Sequence, residues 1–287
     1  MNNLKTAALL GFLGVLFVGV GYALGGPQGS LIALGIAILF NFGMYFFSDR
    51  VALSSARARP IDPGELPNVE SIVSSLAQRE DMPVPALYVI DSRQPNAFAT
   101  GRSPRKAAVA VTTGILDTLD HRELEGVLAH ELAHVKNRDI LIATVAATIA
   151  AALAFLARMV FWTNLGGRRN NNAITAIIGL VAMILAPLAA GVIQMAISRS
   201  REYEADHDGA ETTGSPLILA GALRKISDGA SRVPMDVNPA VSQLFIADPL
   251  KAFGSKGQRG RMGRMFATHP PVEDRIARLE KMAYGLP

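Results

Sequence analysis

The sequence has no cysteine and a single tryptophan, and charged residues fill only 18% of its 287 positions. Without cysteine the chain cannot form a disulfide, and a metal ion could be bound only by histidine and carboxylate side chains. Soluble domains carry about a quarter charged residues, whereas half of this sequence is hydrophobic. The low proportion of charged residues and the high proportion of hydrophobic residues predict a membrane protein.

The sequence also lacks a concentrated basic patch. Its net charge is +4 at pH 7, and the lysines and arginines lie near the ends of apolar runs, without interleaved aromatic residues. A nucleic-acid-binding surface needs such a patch. Nucleic acid is therefore not an expected partner.

Two apolar runs, residues 4–24 and 31–47, stand at the N-terminus. Each approaches or reaches the roughly 17–25 residues that cross a bilayer as a helix, so the pair predicts a transmembrane hairpin. A signal peptide is the alternative for the first run, because Ala23 and Gly25 place small residues after an apolar core. The second run follows at once and leaves no soluble mature start, which favours the hairpin.

Arginines predict the orientation of this hairpin. Arg50, Arg57 and Arg59 follow the second run, while the loop at 25–30 carries no charge. Because positively charged loops stay in the cytoplasm, both the N-terminus and the chain after Asp49 are expected there.

Two further apolar runs, residues 140–157 and 173–198, predict a second hairpin. Its connection holds Arg158, Arg168 and Arg169, which the same rule would keep inside. Either the first hairpin fixes the orientation and the second tolerates the violation, or the second pair crosses only in part. The sequence leaves both accounts open.

The segment between the hairpins has the patterns of a soluble domain. It predicts a helix over 68–79 and short strands at 86–90, 96–100 and 107–112, separated by proline, glycine, serine and aspartate. We expect these strands to form a small antiparallel sheet.

The segment after the second hairpin is also soluble in pattern. It predicts helices over 202–210 and 216–228 and an amphipathic helix after the THPP motif. Residues 231–266, rich in proline, glycine and basic residues, predict a mobile loop or linker.

A helix that opens with a capping box at Asp120 and Glu123 carries the sequence HELAH. His130 and His134 are spaced i, i+4, so both imidazoles lie on one face and can bind one zinc ion. Glu131 is rotated about 100° from His130, which can place its carboxylate beside the open position of the metal. The motif therefore predicts a catalytic zinc site with Glu131 as the base.

The bare HExxH pattern also arises by chance, with histidines that are only packed or solvated. Its surroundings favour the metal site, because Val127, Leu128, Leu132 and Val135 make Glu131 a charge within an apolar stretch. A buried carboxylate without a partner is costly, and a metal centre would provide one.

A catalytic zinc ion needs a third protein ligand. The stretch REYEADHDGA offers the following candidates: Glu202, Glu204, Asp206, His207 and Asp208. Glu202 and Asp206 are spaced i, i+4, so Glu202 can bind zinc while Asp206 accepts a proton from a ligand imidazole. A solvated acidic helix face is the alternative.

The predicted topology brings these segments together. His134 precedes the third apolar run by six residues and Glu202 follows the fourth by four. If those runs form a hairpin, both segments return to one membrane face, within about 6–9 Å of it at 1.5 Å per residue. The site is therefore expected close to the lipid surface.

Five motifs extend along the chain, and together with the N-terminal hairpin they are highly specific. They are NAFATG at 96–101, AVAVTTGIL at 108–116, HELAH at 130–134, SRSREYEAD at 198–206 and THPP at 268–271. With these motifs the sequence resembles the HtpX-type membrane zinc metalloproteases, which are related to the CAAX prenyl endopeptidases.

The resemblance implies a choice among the candidate ligands. The ExxxD motif of the family falls on Glu202 and Asp206, which makes Glu202 the third zinc ligand in preference to Glu204 or His207, with one zinc ion per chain. The resemblance also implies quality control of misfolded proteins in the bacterial inner membrane, with the active site facing the cytoplasm. Unfolded or membrane protein substrates and the lipid bilayer are then the expected partners.

The same resemblance implies contacts to the substrate. Similar proteases pair an extended substrate with an edge strand near the metal helix, and Ala107–Thr112 is the expected strand here, with an ordinary sheet strand as the alternative. His269 and Tyr203 are candidates to donate a hydrogen bond to the oxyanion, although a structural turn is favoured for His269 and packing for Tyr203. Asn96 is a further candidate for substrate contact.

The sequence therefore predicts a membrane α+β fold, with four transmembrane helices and a cytoplasmic zincin-like domain of helices and a small antiparallel sheet. The expected segments are 1–49, 50–139, 140–198 and 199–287. The expected function is zinc-dependent endoproteolysis. A site-specific processing peptidase and a non-catalytic holdase or assembly factor remain alternatives, whereas a zinc transporter is disfavoured because the apolar runs contain no histidine or carboxylate. The sequence sets no expectation for the oligomeric state.

Overall fold

The computed structural model of the chain describes residues 2–145, 199–253 and 270–285. The order of the helices and strands is α1 (Asn2–Ser55), β1 (Arg59–Pro60), α2 (Pro67–Arg79), β2 (Ala86–Ile90), β3 (Ala97–Gly101), β4 (Ala107–Thr112), α3 (Thr113–Thr118), α4 (His121–Lys136), α5 (Arg199–Thr213), α6 (Pro216–Arg232) and α7 (Val272–Ala283). Three short 3₁₀ helices lie at Pro104–Lys106, Pro239–Leu244 and Lys251–Phe253.

The helix α1 is a hairpin that breaks at Gly25 and Gly26, where Gly26 has a φ of 59°. Beyond the break the two halves run side by side so closely that a Cβ on Gly29 would lie 2.1 Å from the carbonyl oxygen of Gly21. Farther along, the Asn41 side chain donates to the carbonyl of Leu10 at 3.0 Å. Glycine at the closest approach therefore lets the two apolar halves pack against each other.

Within the described residues, one segment, Gly25–Gly43, is long and apolar enough by length and composition to cross a membrane. The second predicted hairpin, 140–198, lies outside the described residues apart from 140–145, which are helical. The described part of the chain thus holds one candidate membrane helix of the four that the sequence predicts.

The sheet is mixed, which corrects the prediction of an antiparallel sheet. Its strand order is β1-β2-β4-β3, with β2 parallel to β4 and the β1–β2 and β3–β4 pairs antiparallel. The chain passes from β2 to the outer position of β3 and turns back at Gly101, whose φ is 136°. Because β4 then inserts between β2 and β3, it runs in the same direction as β2.

The sheet separates two layers of the molecule. On one face Ala97, Ala99 and Val109 pack against α2, α4, α6 and α7, and this cluster contains the fully buried Leu128 of the metal-motif helix. On the other face Phe98 and Ala110 pack against the end of α1 and residues 235–250. The α1 hairpin and the helical domain are therefore joined through the sheet.

The predicted loop over 231–266 is irregular in its described part apart from two short 3₁₀ helices, but it is packed into the domain instead of being a free linker. Val241 and Phe245 are fully buried, and the Phe245 ring lies 4.8 Å from that of Phe98. The side chain of Gln94 also donates to the carbonyls of Val233 and Pro249 at 2.6 and 3.0 Å. Apolar burial and these bonds hold the segment in place, although its proline and glycine content favours a loop. Residues 254–269 lie outside the described residues.

Helix α4 begins as predicted. The Asp120 carboxylate accepts from the Glu123 backbone N–H at 2.9 Å, and the Asp120 N–H donates to the Glu123 carboxylate at 3.0 Å. This reciprocal capping box is confirmed. It fixes the start of the helix that carries HELAH.

Helix α5 crosses α4 at a glycine. A Cβ on Gly209 would lie 2.9 Å from the backbone nitrogen of His130 and 3.0 Å from its Cα. Only a residue without a side chain permits this approach. Gly209 therefore sets the distance between the two helices that carry HELAH and the ExxxD motif.

We expect Gly209→Ala to destabilise the protein, although alanine is the better helix former by about 0.8–1 kcal/mol. The added methyl group would overlap α4 backbone, and such overpacking costs about 1–3 kcal/mol. Gly221→Ala in α6 is the matched control, because there the nearest atom would be a Glu123 carboxylate oxygen at an ordinary 3.6 Å. Thermal unfolding in detergent should show a lower Tm for Gly209→Ala and an unchanged or higher Tm for Gly221→Ala. Equal responses would contradict the close packing of α4 and α5.

Candidate active site

Three side chains with metal-ligating atoms converge where α4 and α5 cross. The rings of His130 and His134 are 4.8 Å apart, one helical turn from each other. The Glu202 carboxylate lies 3.4 Å from His134 Nε2 and 3.9 Å from His130 Nε2. Two ligands of one tetrahedral zinc ion lie roughly 3.4 Å apart, given bond lengths of about 2.0–2.1 Å, so the spacing of these three groups suits a single ion.

The Asp206 carboxylate lies behind this cluster. Its Oδ1 is 3.0 Å from His130 Nδ1, which is the position that the i, i+4 spacing from Glu202 predicts. Burial alone would raise the pKa of Asp206, but the charge of Arg275 outweighs it and holds the pKa well below its usual range. The carboxylate therefore stays ionised and can fix the orientation of the His130 ring.

Arg275 in α7 is a site residue that the sequence analysis missed. Its side chain is 1% exposed, and its guanidinium holds Asp206 with two bonds of 2.8 and 2.6 Å. It also lies 3.6 Å from Glu202 and donates to the Ile246 carbonyl at 3.3 Å. A signal was present, because Arg275 falls four residues before Leu279 on the apolar face of its helix, where the pattern calls for a hydrophobic residue.

Asp139 is the second site residue that the sequence analysis missed. Its Oδ2 lies 3.3 Å from His134 Nδ1. Burial lowers the pKa of His134, but hydrogen bonds to Asp139 and Glu202 outweigh it and raise the pKa to about 10. Each histidine thus has a carboxylate at Nδ1, which leaves each Nε2 directed toward Glu202.

Glu131 lies between this cluster and the sheet. It is 3% exposed, and burial raises its pKa, although the charges of His130 and His134 oppose the shift. The backbone N–H of Ala99 in β3 faces this carboxylate and also lowers its pKa. The carboxylate therefore lies beside the edge of the sheet and has a raised affinity for a proton.

The structure assigns other roles to two predicted contact residues. Asn96 is fully buried, and its amide donates to the Ala247 carbonyl at 2.9 Å and accepts from the Ala247 N–H at 3.2 Å. It therefore joins the start of β3 to the neighbouring segment at Ala247, and its contact with substrate stays a prediction. Tyr203 packs under Arg278, whose guanidinium lies 3.7 Å from the ring centre, as its favoured interpretation predicts. His269 lies outside the described residues.

The predicted substrate strand is also corrected. Strand β4, Ala107–Thr112, has neighbours on both sides and is buried along its whole length. The strand at the edge near α4 is β3, Ala97–Gly101. The error arose because local patterning reveals a strand but not its position in the sheet.

A helix bearing two histidines and a buried glutamate, faced by a glutamate from a second helix, defines a metallopeptidase site. Residues 63–283 match peptidase family M48. The chain is also 49% identical over 286 residues to "Protease HtpX homolog" of Thermodesulfovibrio yellowstonii, covering 99% of each chain. It is 49% identical over 292 residues to the protein of that name from a Sulfurihydrogenibium species, covering 98% of this chain and 96% of the relative.

Among solved structures, the fold is similar to that of S. mikatae Ste24p, with a TM-score of 0.50 at 18% identity. The alignment covers 97% of this chain, which spans 65% of the length of that protein. This likeness concerns the fold alone. On its match over residues 63–283 and its 49% identity to these relatives, the chain belongs to peptidase family M48 and is a metalloprotease.

We expect Arg275→Met to destabilise the protein by about 3–5 kcal/mol, because it leaves the buried Asp206 carboxylate without its cation. Arg224→Met is the matched control, since Arg224 also bonds to a carboxylate, Glu280 at 3.0 Å, but is 58% exposed. Its loss should cost below about 1 kcal/mol. Denaturant unfolding of both variants measures the difference.

Asp206→Asn added to Arg275→Met should recover part of the lost stability, because the unpaired charge is then removed. A double variant that is as unstable as the sum of the two single variants would show that the pair is not coupled.

Proposed function

We propose that the chain is a membrane endopeptidase in which His130, His134 and Glu202 bind one zinc ion. The observation that carries this proposal is the convergence of their ligating atoms, all within 4.8 Å of one another. Both His130 and Glu202 are buried, and a buried carboxylate and two imidazoles form the donor set that zinc takes in catalytic sites. A zinc ion bound there would supply Lewis acidity toward the peptide carbonyl and toward water.

Glu131 is the general base in this mechanism. Its buried carboxylate has a raised pKa, so it can take a proton from the attacking water and later pass it to the leaving amine. The Ala99 N–H holds the carboxylate in place between the ligand histidines and β3. Asp206 and Asp139 orient the two histidines through Nδ1.

The substrate is proposed to be an extended segment of an unfolded or membrane protein that pairs with β3. This strand is at the edge of the sheet and contacts Glu131 through Ala99, so a peptide added to it would pass beside the base. Pairing through backbone groups is largely indifferent to side chains. Such recognition supports a role in the removal of misfolded membrane proteins.

The proposed location is the bacterial inner membrane, with several spans and the active site in the cytoplasm. The hairpin of α1 supports membrane insertion, and Arg50, Arg57 and Arg59 follow its second half. Because positive charge favours the cytoplasmic side, we propose that the domain that follows them lies there.

We expect Glu202→Gln to lose bound zinc and Glu204→Gln to keep it. Both residues lie on α5, but Glu202 is 5% exposed within the ligand cluster whereas Glu204 is exposed on the opposite side. Metal analysis after dialysis should give about one zinc per chain for the parent and for Glu204→Gln, and little for Glu202→Gln or His134→Ala. Loss of zinc from Glu204→Gln alone would overturn the assignment of Glu202.

We expect Glu131→Gln to keep its zinc and its Tm while the rate of casein cleavage falls by about 10²–10⁴-fold. A chelator should abolish cleavage by the parent, and added zinc should restore it. Cleavage of casein at many sites supports broad proteolysis, whereas one discrete set of products indicates a site-specific processing peptidase. Cleavage by Glu131→Gln at the parental rate would contradict the role of Glu131, and a zinc-loaded parent that cuts nothing would favour a holdase.

A further inference from the structure

A cleft of about 710 Å³ lies away from the candidate active site, between the end of α2, the β3–β4 turn and the end of α4. Its lining residues include Ser103, the two arginines Arg105 and Arg138, and one acidic residue, Asp81. Lys106 is the next residue after Arg105. The cleft is therefore large enough for a small ligand group, and cations dominate its surroundings.

Both arginines of the cleft are exposed. Within the described ranges, neither Arg105 nor Arg138 forms an ion pair with a carboxylate, in contrast to Arg59, Arg79 and Arg224 elsewhere on the surface. Two unpaired guanidinium groups beside a hydroxyl are donors that an anionic oxygen cluster such as a phosphate can satisfy.

The β3–β4 turn contacts α1 just after the apolar segment of that helix ends. Arg102, at the start of the turn, donates to the Phe46 carbonyl at 3.3 Å, and its guanidinium lies 4.7 Å from the Phe46 ring centre. Phe46 follows the candidate membrane span Gly25–Gly43 by three residues and stands among the exposed rings of Tyr45 and Phe47. Aromatic residues beyond the end of an apolar span mark the membrane–water interface.

The cleft is close to this interface. Arg105 follows Arg102 by three residues and so lies at most about 11 Å from it. Arg138 is followed within two residues by the apolar run that begins at Ile140. Both cleft arginines are thus close to an end of an apolar segment, which is where lipid headgroups would lie if these segments enter the membrane as proposed.

Arg138 occupies a backbone position that favours glycine. Helix α4 ends at Lys136, and Arg138 comes directly after the C-cap residue Asn137 with a φ of 58°. Glycine is the usual residue there because it adopts this conformation without a steric penalty. Arginine at this position places a cationic side chain in the cleft at the expense of stability.

We propose that this cleft binds the phosphate headgroup of an anionic phospholipid and so docks the protease domain on the membrane surface. Arg105 and Arg138 pair with the phosphate oxygens and Ser103 donates to them. A free anion or an acidic peptide would meet the same groups, but the position of the cleft at the interface favours the lipid. This site is separate from the proposed metal site and does not depend on catalysis.

The test uses the full-length, zinc-loaded protein in neutral detergent, with Glu131→Gln as background to prevent self-digestion. Phosphatidylglycerol should raise its Tm saturably, because a ligand that binds only the folded state stabilises it, whereas phosphatidylcholine should not. Arg105→Gln with Arg138→Gln should increase the phosphatidylglycerol concentration for half-maximal effect by at least about tenfold.

Arg93→Gln with Arg122→Gln is the matched control for lost charge. Both residues are exposed, and Arg122 stands at the opposite end of α4 from Arg138, about 24 Å away at 1.5 Å per residue. This pair should leave the response to phosphatidylglycerol unchanged. An equal loss of response in both double variants would overturn the site.

Arg138→Gly separates the binding role from a structural one. It removes the side chain and relieves the left-handed backbone, so the Tm without lipid should rise while the shift caused by phosphatidylglycerol should shrink. A full lipid response in Arg138→Gly would contradict the proposal. So would a shift of equal size from inorganic phosphate or from a glutamate-rich peptide, because either would assign the cleft to a different ligand.

Discussion

The ion pair between Asp206 and Arg275 is the constraint on which the rest of the site depends. Both side chains are almost fully removed from water, and a buried charge without a partner costs several kcal/mol. Asp206 in turn fixes the His130 ring, and the same guanidinium lies near Glu202. Helices α4, α5 and α7 are therefore held together by one charge network, so the ligand geometry cannot change without breaking it.

This network also explains why α5 packs so closely on α4. The carboxylates of Glu202 and Asp206 have to reach the two histidines, and the backbone contact at Gly209 brings the helix axes near enough. Large side chains at the crossing would move both carboxylates away. The glycine at the crossing allows the two helices to come close, and the charged side chains fix the rotation of α5 about its axis. Apolar packing alone would tolerate other rotations.

The site could be predicted from the sequence as far as helical periodicity extends. The spacing i, i+4 places His130 with His134 and Glu202 with Asp206, and the structure brings the two pairs together. Arg275 was not found, because it lies 69 residues after Asp206 and no local pattern connects the two. The available signal was the charged residue Arg275 on the apolar face of α7. This signal indicates a site residue only once its buried partner, Asp206, is known.

The sheet shows the same limit. Strands β2, β3 and β4 were located from their composition. The position of β4 between β2 and β3 depends on which strands pair, and local alternation does not contain that information. The five helices predicted outside the apolar runs and three of the four strands follow from local patterns, whereas the mixed sheet does not. The packing of residues 235–250 was missed for a related reason, because their order comes from contacts with Phe98 and Gln94 rather than from their own propensity.

The contact between the α1 hairpin and the sheet would, in the proposed membrane location, hold the site at a fixed distance from the lipid. Beyond its break at Gly25 and Gly26, helix α1 runs continuously to Ser55. Its end packs against one face of the sheet, while α4 packs against the other. The edge strand β3 contacts Glu131 at Ala99 and leads two residues later to the turn whose Arg102 lies on Phe46. In the proposed membrane location, a peptide paired with β3 would run between Glu131 and the membrane surface. That geometry would suit the proposed substrates, because segments that emerge from the bilayer as extended chain would reach the strand without first diffusing through the cytoplasm.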